Sequence, residues 1–287
     1  MTEYTALYEQ WKTAPEAFWA ESAKLIDWDK APEQIFDAAI GPYGAWFPGA
    51  MLNTSYNCLD RHVKAGHGER VALVWDSPMA NRLEHITYAQ ALGRVGKIAG
   101  ALANLGVTKG DRVVLYMPMV PEAAFAMLAC ARLGAIHSMV FGGFAASELA
   151  VRISDAQPKV VIAASCGLEP SRIVAYKPMV DAAIELATHK PSACLIFQRP
   201  ACIADLTPGL DHDFIEAEEA AAPHGPVSVA ATDPLYVLYT SGTTGRPKGV
   251  VRDNGGHAVA LALTMQTTFG IAPGEVMWAA SDVGWVV

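Results

Sequence analysis

The chain has 287 residues, 52% hydrophobic and 17% charged, with a formal net charge of −8. That composition supports one large or two ordinary domains with a sizeable core, and it excludes a disordered chain. The acidic balance excludes a general nucleic-acid binder, which needs a basic face, but it leaves room for a small anion, because a few backbone N–H groups and cations suffice to hold a phosphate.

Residues 1 to about 65 interleave charges with aromatics, among them Tyr4, Tyr8, Trp11, Trp19, Trp28, Trp46 and Phe47. Short helices joined by Pro and Gly turns are expected, packed as a cap on the main body. An aromatic surface for single-stranded nucleic acid would need basic neighbours, and those are few. The N-terminus has no basic run followed by an apolar stretch, so no secretory signal is expected.

From residue 66 strands and helices alternate. Residues 70–75 read as a strand. Thr87 and Gln90 form a capping box that opens a helix, with Leu92, Val95, Ile98, Ala99, Leu102 and Leu105 at helical spacing and an end near Gly106. Residues 112–116 are the next strand. Pro121 suits the first turn of a helix running to Gly134, and Ile136–Phe141 is again a strand. Ser147 is expected to cap a short helix. Residues 159–163 and Ala193–Phe197 are further strands, acidic 214–222 is a surface helix, and 235–238 is a buried strand. The apolar stretch 113–141 is broken by Pro118, Pro121, Glu122, Arg132 and His137, which fits a strand–helix–strand unit rather than a membrane span. This alternation predicts an α/β fold of mainly parallel sheet flanked by helices. The cysteines at 58, 130, 166, 194 and 202 have no CxxC spacing, so free thiols in a reducing cytoplasm are expected, with neither a zinc site nor a disulfide framework.

Directly after 235–238 comes Tyr239-Thr-Ser-Gly-Thr-Thr-Gly-Arg-Pro-Lys-Gly249. Hydroxyl residues alternate with glycines, and one lysine follows. Such a loop can turn its N–H groups and hydroxyls toward a polyphosphate, with Lys248 adding positive charge. The candidate phosphate ligands are Thr240, Ser241, Gly242, Thr243, Thr244, Gly245 and Lys248. A Walker A loop would place Ser or Thr after the lysine, where Gly249 stands. A flexible linker is disfavoured by the preceding strand, the helix-compatible segment that follows and the fixed Pro-Lys-Gly. A Rossmann dehydrogenase is disfavoured for want of a GxGxxG between an early strand and helix.

The run resembles the phosphate-binding signature of the AMP-forming acyl-CoA synthetases, members of the adenylate-forming ligase superfamily. Trp46-Phe-Pro-Gly49 with Leu52-Asn-Thr-Ser-Tyr-Asn-Cys-Leu-Asp-Arg-His62 is similar to the N-terminal region of the acetyl-CoA synthetase group. That region is structural in the group, so Asp60, Arg61 and His62 are given no chemistry. Asp253-Asn-Gly-Gly-His257 and Ser281-Asp-Val-Gly-Trp-Val-Val287 resemble propionate-activating members, the propionate–CoA ligases. The resemblance implies a cap over 1–65 and, over 66–287, the first part of an AMP-binding (adenylation) domain, an incomplete large N-terminal domain. The adenine- and Mg2+-binding segment and the C-terminal lid with its lysine are expected beyond Val287, and the chain alone is expected to be an inactive fragment.

The same resemblance implies ATP, Mg2+ and coenzyme A as cofactors, with Lys248 as the catalytic residue and no metal ligand assigned. Trp285, Val286 and Val287 fall on acyl-pocket positions. Acetate enzymes typically carry Thr where Val287 stands, and a methyl in place of a hydroxyl suits a slightly longer aliphatic acid. One methylene discriminates by only roughly 1–3 kcal/mol, so the preference is a matter of degree. Trp285 and the two valines also read as the core of a strand, and the readings are compatible. Phe141, Gly142 and Gly143 match a CoA contact, although an ordinary strand-end turn has the same sequence. A second loop, at 167–172, matches one that often carries two arginines against CoA phosphates; Glu169 stands at the first position and leaves Arg172 as the candidate ligand. Lys177 reads as solvated; for His257 packing, capping and catalysis all stay open, and it is given no role. The implied function is activation of propionate to acyl-adenylate and then propionyl-CoA, in the cytoplasm, on small-molecule substrates, without nucleic acid or membrane. An acetate or 3-hydroxypropionate ligase and a non-catalytic nucleotide-binding module are the competing readings.

Overall fold

A computed structural model describes residues 3–240 and 247–285. Helices α1 (Glu3–Thr13) and α2 (Pro15–Ser22) lie in the expected N-terminal cap. Trp19 meets Trp46 edge to face, as Trp28 meets Phe47, each pair with ring centres 5.4 Å apart. Together with Ala23, Ile26, Ala50 and Leu52 these rings build a small second core, into which Ala231 and Val259 of the main body pack. Trp19, Trp28, Trp46 and Phe47 are thus used in packing, whereas Tyr4, Tyr8, Trp11 and Tyr43 are exposed.

Two strands, Val71–Ser77 and Arg82–Thr87, pair as an antiparallel hairpin and lead into helix α3 (Tyr88–Asn104). The capping box forms as read: Gln90 N–H donates to Thr87 Oγ1 (3.2 Å), and Thr87 N–H donates to Gln90 Oε1 (2.9 Å). Helix α4 (Pro121–Leu133) opens on its proline and stops at Gly134, whose φ of +69° is a left-handed C-terminal stop. Helix α5 (Ala146–Ala156) departs from expectation. It starts before Ser147, at an uncapped Ala145, so Ser147 lies inside the first turn. Helices α6 (Lys177–Leu186), α7 (Phe214–Ala220) and α8 (Gly255–Thr267) follow. Helix α7 is not a purely surface helix. Phe214 and Glu218 are buried, and both Glu218 oxygens accept from Arg94 at 2.8 Å.

The main sheet has seven strands: β1 (Arg112–Met117), β2 (Ile136–Phe141), β3 (Val160–Ala164), β4 (Ala193–Phe197), β5 (Asp211–Asp213), β6 (Pro234–Thr240) and β7 (Lys248–Asp253). Their spatial order is β5-β4-β3-β1-β2-β6-β7, parallel throughout except for the β6–β7 pair. This is the expected mainly parallel α/β architecture. Val113, Val114, Leu115, Ile162 and Ile196 are wholly buried, as befits strands covered on both faces. Helix α3 packs on α4 and α7, and α5 packs on α6. The chain runs from β1 to β2 on one side and returns to β3 on the other, so the strand order reverses between β1 and β3. In open α/β sheets ligands bind at such reversals.

Strand β7 is an element the sequence reading did not anticipate, since a helix-compatible segment was expected directly after the loop. The described residues 271–285 contain no strand, so the strand expected around Trp285 is absent over that part. Val276 and Trp278 are 79% and 84% exposed, with no described neighbour strand to pair against. Among the described residues no helix is long and apolar enough to cross a membrane.

The segment 52–62 is structural, as expected. Arg132 of α4 grips Asp60 with two hydrogen bonds, 2.7 and 3.1 Å, and both side chains are buried. Asn53 Nδ2 donates to the carbonyls of Ala131, Arg132 and Val227. Arg61 donates to the Leu25 carbonyl at 2.9 Å, and the His62 ring lies 4.9 Å from that of Tyr88. These contacts fasten the cap to the C-terminal end of α4.

Candidate functional site

The described candidate residues gather at one edge of the sheet because of where their strands end. Phe141 ends β2 and Thr240 ends β6, two neighbouring parallel strands. Lys248 begins the antiparallel β7 directly opposite Thr240 in the ladder. The two residues therefore stand as the gateposts of the predicted phosphate loop, with Lys248 exposed. Ser241, Gly242, Thr243, Thr244 and Gly245 lie outside the described residues, as do Val286 and Val287.

The strand leading into the loop is anchored from the side. Tyr239 Oη donates to Asp155 Oδ2 of α5 at 2.6 Å, and its ring lies 5.8 Å from the Arg152 guanidinium. Burial and the Asp155 carboxylate both push the Tyr239 phenol well above its usual range, so it stays protonated as the donor. The sequence reading quoted Tyr239 as the first residue of the run without giving it a role. Its partner lies 84 residues away, a distance that no local pattern encodes.

Gly142 and Gly143 form a tight turn after β2. The Gly143 φ of +106° suits glycine, and its N–H donates to Tyr116 Oη at 3.1 Å. Tyr116 Oη in turn donates to the Phe144 carbonyl at 2.8 Å, so one hydroxyl closes the turn from both ends. A methyl on Gly142 would come within 2.6 Å of Tyr176 Oη and 3.0 Å of the Met117 carbonyl. A methyl on Gly167 would come within 2.3 Å of the same Tyr176 oxygen. Tyr176 therefore packs between the β2 turn and the hairpin Cys166–Glu169/Arg172–Ala175, and it was missed because the β2 turn lies more than thirty positions earlier in the chain. Burial, then the neighbouring Tyr116, raises its phenol above the usual range.

Arg172 sits on that hairpin with its guanidinium on Glu169, at 2.7 and 3.3 Å. Each holds the other charged: the bond to Arg172 lowers the pKa of Glu169, and that of Arg172 is raised in return. The charge reversal noted in the sequence is thus a surface ion pair, which a phosphate would have to compete with. Lys177 is corrected outright. It is 4% exposed and bridges Asp181 and Asp211, the latter at 2.9 Å, while also donating to Thr207. Trp285, 54% exposed, lies beside Phe141 at the same sheet edge, with ring centres 6.1 Å apart and the rings tilted by 49°.

His257 packs in the first turn of α8, one of the alternatives its sequence left open. Its N–H donates to Asp253 Oδ1 at 3.1 Å, and its ring meets Tyr236 edge on at 5.1 Å. Behind Tyr236 lies His137, 5% exposed, whose Nδ1 has no partner among the described residues. Burial, assisted by His257, pushes His137 down from 6.5 to about 4. The folded protein thus keeps this ring neutral, while the unfolded chain protonates it below pH 6.5. Stability contributed by the neutral ring is complete above that pH and is lost as pH falls toward about 4. The slope for one group is at most ~1.4 kcal/mol per pH unit. Urea midpoints measured across this range are expected to fall, and to fall less in His137→Asn; an unchanged slope in the variant would place the acid sensitivity elsewhere.

Comparison with known proteins gives a consistent family. Residues 59–287 match the model of the AMP-binding enzyme family, and residues 4–58 match the acetyl-coenzyme A synthetase N-terminus. An uncharacterized protein of Pseudomonas aeruginosa is 54% identical over 95% of this chain and 44% of its own length. Human acyl-CoA synthetase short-chain family member 3, mitochondrial, is 48% identical over 100% of this chain and 42% of its own. The acetyl-coenzyme A synthetase of Xanthobacter autotrophicus is 42% identical over 99% and 44%. The solved structure of acetoacetyl-CoA synthetase from Streptomyces lividans superposes with a TM-score of 0.89 at 24% identity, over 99% of this chain and 43% of that one, a likeness of fold. The chain thus spans less than half the length of the relatives it matches. With a match over residues 59–287, it belongs to the AMP-binding enzyme family.

Proposed function

We propose that this chain is part of an AMP-forming short-chain acyl-CoA synthetase whose preferred acid is propionate. The observation that carries the proposal is the pairing of Thr240 with Lys248 across the base of the predicted phosphate loop. A substrate carboxylate oxygen would attack the α-phosphorus of ATP, the bond to the β,γ-diphosphate would break, and pyrophosphate would leave with that electron pair. The CoA sulfur would then attack the acyl carbon and expel AMP. An anion attacking an anion needs charge neutralisation and fixed geometry. In this reading Thr240 and Lys248, with Ser241, Gly242, Thr243, Thr244 and Gly245, hold the β- and γ-phosphates as they become the leaving group. The Tyr239–Asp155 bond fixes the strand that presents them.

Mg2+ bound with the nucleotide would supply further neutralisation of the phosphates. Among the described residues no three His, Cys, Asp or Glu side chains converge on a metal site, so no protein ligand is assigned to it. Phe141, Gly142, Gly143 and Arg172 are proposed for CoA, and Trp285, Val286 and Val287 for the acyl wall. The division into a cap over 1–65 and an adenylation segment over 66–287, and a cytoplasmic location, belong to the same proposal. The support for propionate is the methyl of Val287 at a position where acetate enzymes typically carry a hydroxyl.

The test is acid-dependent exchange of labelled pyrophosphate into ATP, on the 287-residue chain and on a form extended to the length of its relatives. Exchange with propionate above acetate, by roughly fivefold to a hundredfold, is expected of the extended form. Equal or inverted rates would sink the acid assignment. Nucleotide binding without exchange in either form would favour the non-catalytic module.

A further inference from the structure

Because β7 is antiparallel to its neighbour, its two ends lie at opposite edges of the sheet, with Lys248 at one and Asp253 at the other. At a rise of about 3.4 Å per residue they are roughly 17 Å apart. At the Asp253 edge the structure holds a cavity of about 280 Å³ between the N-terminal cap and the start of α8. None of the residues proposed above for ATP, the acid or CoA lines it.

The floor of this cavity is aromatic. Trp19 and Trp46 meet at 62° with ring centres 5.4 Å apart, and Phe47 lies 6.0 Å from Trp46. The rim is polar, and each polar group there has a defined state. Asp253 accepts the backbone N–H of His257 at the start of α8, and burial raises its pKa above the usual carboxylate range. His257 has its pKa lowered, first by burial and then by Arg252, which keeps the ring uncharged near neutrality. Arg252 stands opposite Tyr236 in the β6–β7 ladder. Tyr236 is itself in register with His137 on β2. This row across three strands holds one guanidinium at the mouth of an aromatic box. Gly256 helps keep the space open: a methyl there would come within 3.0 Å of Asp253 Oδ1 and 3.3 Å of Trp46 Cβ.

We propose that this cavity is a second small-molecule site, which takes a flat aromatic monocarboxylate with its ring on Trp19, Trp46 and Phe47 and its carboxylate on Arg252. Rings gain offset and edge contacts from such a floor. A planar guanidinium presents the paired donors that a carboxylate accepts. The volume lies near the lower bound of about 300 Å³ for ligand pockets, which admits a single ring with a short side chain and excludes a nucleotide. The adjacent Asp253 carboxylate disfavours a second negative charge, and so selects a monoanion.

The test is calorimetric titration of the 287-residue chain with phenylacetate, with phenylacetamide as its uncharged counterpart and propionate as an acid without a ring. Phenylacetate is expected to bind about tenfold or more tightly than phenylacetamide, the ratio a charged hydrogen bond supplies. Arg252→Gln is expected to abolish that ratio while leaving a residual affinity for the ring. Gly256→Ala is expected to weaken both aromatic ligands, with thermal melting to show that it folds. Lys248→Ala is expected to leave phenylacetate binding unchanged, which separates this site from the proposed phosphate site whatever becomes of that reading. Absence of phenylacetate binding up to about 10 mM, equal binding of acid and amide, propionate binding as tightly as phenylacetate, or an acid preference that survives Arg252→Gln would each overturn the proposal.

Discussion

Replacing Arg132 with Ala is expected to destabilise the protein by roughly 3–5 kcal/mol. The guanidinium is buried, pairs with both oxygens of buried Asp60 and donates from Nε to the His224 carbonyl at 2.6 Å. Its removal leaves a carboxylate in an interior that water does not reach, and a charge so stranded is costly. The loss also falls at a joint, because Asp60 belongs to the segment that fastens the cap to α4. The double substitution Asp60→Leu, Arg132→Met is expected to recover much of the loss, since neither residue then leaves an unpaired charge. Urea unfolding of both single variants and the double variant closes the cycle and isolates the coupling. A cost for Arg132→Ala below about 1 kcal/mol would mean that the pair behaves as a solvated one.

The elements that could be read from sequence were those whose cause is local. The Thr87–Gln90 box, the Pro121 start, the Gly134 stop and the strands Ile136–Phe141 and Ala193–Phe197 rest on neighbouring residues, and they appear where the pattern places them. The errors share a different cause. Lys177 looked solvated because Asp211, which neutralises it, arrives on β5 from 34 positions away. Glu218 looked like one of several surface acids until α3 brought Arg94 to it. Strand β7 exists only because the chain turns back after the phosphate loop and pairs with β6, and its mixed sequence of Lys, Gly, Val, Val, Arg and Asp has no strong strand alternation of its own. Within the candidate site, the glycines at 142 and 143 were visible as backbone devices, whereas the tyrosines that lock them, Tyr116 and Tyr176, became identifiable only once three strand ends were side by side. The loop chemistry was legible because residue types in a fixed order carry it, while the support around it is a property of the sheet.

Lys248→Ala is expected to weaken binding of pyrophosphate to the chain by about tenfold to a hundredfold, the effect of losing one charged hydrogen bond to an anion. In an exchange-competent extended form the loss is expected to reach roughly a hundredfold to a thousandfold in adenylation rate, because the charge then acts where negative charge builds up on the leaving group. Both expectations rest on the proposed phosphate site. Stability is expected to change by less than about 0.5 kcal/mol, since the side chain is exposed at the first position of an edge strand. The split between the two measurements is the discriminating result. A lysine that merely holds the hairpin base together would lower stability and binding in step. A lysine outside the site would leave binding untouched, and Lys248 would then lose its assigned role. Lys248→Arg is expected to restore part of the binding, because the positive charge is kept while its planar donors replace a compact ammonium. Full restoration would show that net charge at the gatepost opposite Thr240 is what matters, and no restoration would show that the loop requires the reach and shape of the lysine itself.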